Sequence, residues 1–301
     1  MKNLFYIIFI FAACLMLTAG KSFAQNSQGG LSTKYEELTS PDFKKAVELS
    51  EKTCIIPMGI LEKHGPHLPL GTDMLDAREI VSRAAQKEYT IIFPQYYFGQ
   101  IFEAKHQPGT IAYSSSLVWN LLQETCDELS RNGIKKIILV NGHGGNTYFL
   151  RYFCQAQLEK RKDYAVILFT PADNPEVAEK IKKLRRTSND GHAGETETSE
   201  MLVTNSSLVH LDAAKSQNGD DQKRLKDLPD SFSGIWWYAR FPNHYAGDGS
   251  YASKEIGELL VNNEVEQLTK LIRNVKKNNN ILELQKQFFD EAENPMKTEL
   301  H

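Results

Sequence analysis

Short, continuous apolar runs recur along this chain, with amphipathic stretches between them. Thr53–Met58, Thr90–Pro94, Lys135–Val140 and Tyr164–Thr170 are runs of five to seven mostly apolar residues. Their length and β-branched content predict buried strands. The intervening stretches have helical spacing. Ile80, Val81 and Ala84 share one face of a helix predicted over Asp76–Lys87. A second helix is predicted over Ser114–Asn132, with Ser114, Ser115 or Ser116 as its N-cap and Asn132-Gly133 as its stop. Others are predicted over Asn146–Lys160 and from about Ser253 to Lys277. Apolar strands alternating with helices predict an α/β fold whose parallel sheet is covered on both faces. No internal repeat is evident.

Such sheets bind ligands beyond the carboxyl ends of their strands, and two polar clusters stand there. "EKHGPHLPLGTD" (residues 62–73) follows the first strand, and "NGHGGN" (residues 141–146) follows the third. If residues 62–64 are extended, Glu62 and His64 point to one side. Pro66 and Pro69 then stiffen the loop that returns Asp73. Carboxylate and imidazole donors suit zinc, manganese or iron(II) rather than a thiolate-seeking metal. The plainer reading is a solvated turn. In the second cluster, glycines at 142, 144 and 145 leave His143 with little bulk around it. Asn146 has an ordinary alternative role as a helix cap. A third cluster, "GHAGETETS" (residues 191–199), reads either as a helix start rich in acids or as a metal-ligating glutamate beside His192. The histidine suits proton transfer near neutral pH.

Composition narrows the setting. Lys2, the apolar run Leu4–Leu17 and the small-residue exit ending at Ala24 predict a secretory signal over residues 1–24. The run is shorter than the ~20 residues of a membrane span. The mature protein is thus expected to be periplasmic or secreted, without a stable membrane span. Lipidation at Cys14 is the weaker alternative, since Leu15-Met16-Leu17 would follow it. A polar leader is expected over 25–40, one catalytic domain over 41–290 and a tail over 291–301. Residues 1–24 hold two lysines and no acid, so the rest balances 33 basic against 38 acidic residues, a net −5. That offers no electrostatic footprint for nucleic acid. Cys54, Cys126 and Cys154 lie in apolar segments without a CxxC pair, and are read as buried free thiols. There is no GxSxG elbow, no P-loop and no strand-following GxGxxG. Residues 212–231 read as an exposed insertion or lid, and Trp236-Trp237-Tyr238 as a pocket wall or as core.

Taken together, "GILEKHGPHLPLGTD", "VNGHGGN" and "GHAGETETS" resemble the creatininase family of metal-dependent amidohydrolases, in family order. "QPGTI" (107–111) and "AGDGSYAS" (246–253) match more weakly. The resemblance implies a three-layer α/β/α sandwich with a mostly parallel sheet, often assembled as a homohexamer. It implies two divalent ions, zinc and/or manganese with iron possible, and hydrolysis of an amide or cyclic amide C–N bond of a small molecule by a metal-bridging hydroxide. By resemblance, Glu62, His64, Asp73 and His143 are metal ligands, Asp73 bridging, and His192 is the proton carrier. Creatininase proper has a glutamate where this chain has Gly145, which points away from creatinine and toward the "GHGGN/HAGExETS" branch. The replacement carboxylate is then Glu195 or Glu197. Gly144, Gly145 and His106 are expected at the substrate. Two other readings remain: chemistry on an oxidised sugar or cyclitol at the same metal site, and a non-catalytic metal- or ligand-binding protein.

Overall fold

A computed structural model of the chain describes residues 30–299. The expected signal segment, with Cys14, lies outside them. Four parallel strands form one sheet: β1 (Thr53–Met58), β2 (Ile91–Ile92), β3 (Lys136–Asn141) and β4 (Ala165–Leu168), in the order β2-β1-β3-β4. The four predicted strands are all present, with β2 and β4 shorter than the apolar runs that signalled them. Nine α-helices are described: α1 (Ser40–Leu49), α2 (Thr72–Lys87), α3 (Ser115–Arg131), α4 (Thr147–Ala156), α5 (Pro175–Leu184), α6 (Glu195–Thr204), α7 (Trp236–Arg240), α8 (Lys254–Lys277) and α9 (Asn280–Ala292). No helix among the described residues is long and apolar enough to cross a membrane.

Strand side chains alternate between two apolar layers. Cys54, Ile56, Met58, Ile137 and Leu139 pack with Val47 of α1, Leu122 and Cys126 of α3, and Leu150 and Phe153 of α4. Ile55, Ile138 and Val140 face the other way, against Ile80 and Val81 of α2 and Val261, Val265 and Leu268 of α8. These two layers make the expected α/β/α sandwich. Cys54, Cys126 and Cys154 are free thiols, the first two buried; burial pushes the Cys54 thiol up to about 12.

Pro57 sits in a central strand, where prolines are unusual. Its missing N–H would point past the end of β2 at Phe93 O, and Arg78 Nη1 donates to that carbonyl instead, at 2.6 Å. The polar leader is ordered sooner than expected. Ile92 N donates to Thr33 O at 2.7 Å and Lys34 bridges to Ile92, so residues 33–34 cover the edge of β2.

The chain runs from β1 to β2 on one side, then crosses to β3 on the other. The carboxyl ends of β1 and β3 therefore flank the point where strand order reverses, and Met58 pairs with Asn141 there.

Candidate metal centre

Both polar clusters leave the sheet at this crevice. Beyond β1 the chain doubles back on itself: Glu62 N donates to Leu70 O at 3.0 Å, and His64 bridges to Leu68. Glu62 and His64 are fully buried on the same side. The returning strand feeds α2, which starts at Thr72 rather than Asp76. Asp73 therefore stands in its first turn, where the helix N-terminus favours a carboxylate. Beyond β3, both asparagines of the glycine loop clamp His143. Asn141 donates from Nδ2 to His143 O at 2.7 Å and accepts at Oδ1 from His143 N at 3.2 Å. Asn146 makes no cap. Its Oδ1 accepts from Gln100 N at 2.9 Å, which brings Gln100 O within 2.9 Å of His143 Nε2.

Three sets of three possible donors result among the described residues: one joins Glu62, His64 and His192, and the other two share Asp73. In the first of these two, His143 Nδ1 lies 2.8 Å from Glu62 Oε1 and 3.2 Å from Asp73 Oδ2. In the other, His64 Nε2 lies 2.8 Å from Asp73 Oδ1 and 3.4 Å from Glu197 Oε1. The outer ring nitrogens face carbonyls: His143 Nε2 that of Gln100, and His64 Nδ1 that of Glu62 at 3.2 Å. Those contacts turn the inner nitrogens' lone pairs toward the carboxylates. Glu62 Oε1 and Asp73 Oδ2 are buried and accept no hydrogen bond among the described residues, although each lies close to His143 Nδ1. Buried carboxylate oxygens without donors are costly, and a divalent cation among these atoms would satisfy them.

Charges interlock here. Burial opposes a charged His64, but Asp73 and Glu197 outweigh it and hold its pKa well above the ordinary histidine value. His143 is raised in the same way, burial being overcome by Glu62 and Asp73. Burial opposes ionisation of Glu62 and Glu197, yet the neighbouring histidines pull both down, Glu197 to about 2. His67, the second histidine of the first cluster, is different. Burial lowers it to about 4, and its Nε2 meets Thr198 Oγ1 at 2.8 Å, outside every donor set.

The two candidate glutamates separate completely. Both fall in the first turn of α6, where residues two apart diverge by roughly 200°. Glu197 turns to His64, and its Oε2 accepts from Ala193 N. Glu195 turns away: its carboxylate accepts from Arg186 N at 3.0 Å, Thr187 N at 2.8 Å and Thr187 Oγ1 at 2.8 Å. Expecting a ligand at Glu195 is therefore corrected; it closes the loop before α6.

A cavity of about 190 Å³ opens over the donor sets. Gly144, Gly145, His192, Trp236 and Trp237 line it, together with Glu103 and His244. Gly145 has no room for a side chain, since a Cβ would lie 2.4 Å from His143 Nε2. His192 Nε2 meets Lys63 O at 2.9 Å, and its Nδ1 lies 3.8 Å from Glu197 Oε2. His106 is a second correction. It is exposed, its Nε2 meets Pro242 O at 2.8 Å and its ring abuts Tyr238, so it fastens two loops outside the cavity. Glu103, three positions earlier, faces inward instead. His244 escaped the sequence reading altogether, although it stands two residues before "AGDGSYAS". A bridge between His192 and Ala246 brings it in, with the His192 and His244 rings 4.5 Å apart.

A family profile described as creatininase, creatinine amidohydrolase, matches residues 36–272. The creatinine amidohydrolase of Pseudomonas putida is 27% identical over 190 residues, 58% of this chain and 73% of that protein. The mycofactocin precursor peptide peptidase of Mycolicibacterium smegmatis is 29% identical over 154 residues, 49% of this chain and 56% of that protein, so the match spans little more than half of the peptidase. A solved creatinine amidohydrolase superposes with a TM-score of 0.69 at 24% identity, over 80% of this chain and 96% of that one. At that identity the likeness speaks for the fold. Solved creatininases of similar likeness include manganese and zinc–zinc forms.

Proposed function

The chain belongs to the creatininase family of amidohydrolases, and from that premise we propose that it hydrolyses an amide or cyclic amide C–N bond of a small molecule using two divalent ions. The observation that carries this reading is the pair of three-atom donor sets joined through Asp73. Glu62, Asp73 and His143 would hold one ion, and His64, Asp73 and Glu197 the other, zinc or manganese by their oxygen and nitrogen donors. When bound, such ions polarise a carbonyl and acidify water.

The chain's own groups supply the rest. The fixed carboxylates and imidazoles leave one cavity in which the scissile bond can lie beside them. With its Nε2–H given to Lys63 O, His192 has Nδ1 free to take a proton from water and pass it to the leaving nitrogen. Backbone amides around Gly144 border the place where carbonyl oxygen gains charge. Trp236 and Trp237 wall the cavity and limit its occupant to a small molecule. The relatives named above, a creatinine amidohydrolase and a peptide peptidase, act on C–N bonds by name, and each matches about half of this chain or more. The 3-dehydro-scyllo-inosose hydrolase of Thermotoga maritima, whose name fits the sugar or cyclitol reading, is 31% identical over 91 residues, 30% of this chain. Export and assembly as a homohexamer go with the proposal. N-terminal sequencing of the exported protein and light scattering test them.

The decisive experiment is elemental analysis of the purified protein beside His143→Ala, with an amide and lactam substrate screen. About two ions per chain, with metal and activity lost together in the variant, is the expected result. Full activity at normal metal content in His143→Ala would overturn the assignment.

A further inference from the structure

Glu62 is fully buried, and one of its carboxylate oxygens, Oε1, lies 2.8 Å from His143 Nδ1 in the set they share with Asp73. The other, Oε2, receives a hydrogen bond from His244 Nε2. His192 Nε2 is 3.9 Å from Oε2, too far to donate, so His244 is its one hydrogen-bond donor among the described residues. The other face of His244 is also taken: Trp237 Nε1 lies 2.9 Å from His244 Nδ1. An indole N–H can only donate. His244 Nδ1 is therefore the acceptor, and its proton sits on Nε2, pointed at Glu62. With both ring nitrogens committed, His244 has no lone pair for a metal, and none of the donor sets includes it.

The backbone is shaped to this end. His244 has φ of 49°, in the left-handed region that non-glycine residues rarely adopt. Such conformations persist where the surroundings over-determine them, often at functional sites. A short turn closes the arrangement, with Phe241 N donating to Trp237 O at 2.7 Å and His244 N to Phe241 O at 3.0 Å. Trp237 and His244 thus come as one unit from α7 and the turn after it.

We infer that Trp237 and His244 are a positioning pair: the indole fixes the imidazole tautomer, and the imidazole occupies Oε2 and so aims Glu62 Oε1 at the donor set it shares with Asp73 and His143. The inference rests on the metal reading above. Hydrogen-bond partners behind a metal ligand typically change metal affinity 10–100-fold when removed.

The test is zinc affinity of the metal-free chain, by competition with a chromophoric chelator. Trp237→Phe keeps the ring but removes the N–H, and should weaken one of two zinc sites by about 10–100-fold while leaving the other within a few-fold. His244→Ala should do the same. His244→Gln, which returns an N–H toward Glu62, should recover most of that loss. Trp236→Phe, which alters the same cavity wall without touching His244, should bind zinc like the unaltered protein. Equal weakening of both sites would mark general loss of structure and overturn the pairing. So would unchanged zinc binding in Trp237→Phe, which decides the matter if His244→Ala does not fold. Absence of zinc binding by the unaltered chain would instead sink the metal reading and this inference with it.

Discussion

Glu195 and Glu197 show what a motif conceals. Both are glutamates in one short acidic segment, and the sequence cannot tell them apart because the answer depends on where α6 begins. Once the helix starts at Glu195, its rotation sends one carboxylate to His64 and the other to the loop at Arg186 and Thr187. The consequences diverge accordingly. Glu197→Gln should lower metal content from about two ions per chain toward one, with little change in the fold. Glu195→Gln should keep both ions but destabilise the chain by about 1–3 kcal/mol, because the buried side chain loses its charge-assisted hydrogen bonds to Arg186 N and Thr187 N. Elemental analysis and thermal unfolding of the two variants separate these outcomes; metal loss in Glu195→Gln alone would reverse the roles. Glu62, His64, Asp73 and His143 stood out as candidates because the dense motifs that carry them follow the apolar runs of β1 and β3. His244 was not, since its partners Glu62 and Trp237 are far away or outside any motif.

Strands announced themselves through apolar runs, and the helices that bury broad faces, α2, α3 and α8, through their spacing. The helices that the sequence reading passed over are those that bury little. Only Ala46 and Val47 of α1 are buried, only Phe289 of α9, and no residue of α5. A helix with so small an apolar face leaves a faint periodic signal. Helix packing also creates a feature that no spacing rule foretells. Asp76 of α2, Glu200 of α6 and Glu264 of α8 line one small cavity together with Asp73 and Glu197. Burial pushes Glu264 up to about 7, from an ordinary glutamate value of 4.5. Its protonated form is therefore favoured by the fold, a contribution fully present below about 4.5 and lost as pH rises through about 7. Glu264→Gln should then stabilise the metal-free chain at pH 8 and have little effect at pH 4. Thermal unfolding across that range checks the sign; a gain confined to low pH would show that this carboxyl is not held protonated.

The chain draws its donor atoms from separate parts of the fold: the turn after β1, the first turn of α2, the loop after β3 and the start of α6. Glu62 and Glu197 are distant in sequence, and they meet only because parallel β1 and β3 deliver their ends to one crevice while α6 packs on α8 beside it. An unfolded chain has no such convergence, so an ion that binds here binds the native state far more tightly. Linkage then converts occupancy into stability: free ion at about 100 times its dissociation constant contributes about 2.7 kcal/mol. For a domain of this size that corresponds to a rise in Tm of roughly 5–10 °C. Zinc or manganese added to chelator-treated protein should produce such a rise, and His143→Ala should abolish most of it. A calcium control should shift Tm much less, because imidazole donors suit the transition ions and a hard cation prefers oxygen alone. If calcium shifts Tm as far as zinc, the stabilising site is an oxygen-only cluster elsewhere in the fold. If no ion shifts Tm while zinc still binds stoichiometrically, these atoms are not brought together by folding alone, and the convergence of β1, β3 and α6 would lose its place in the mechanism.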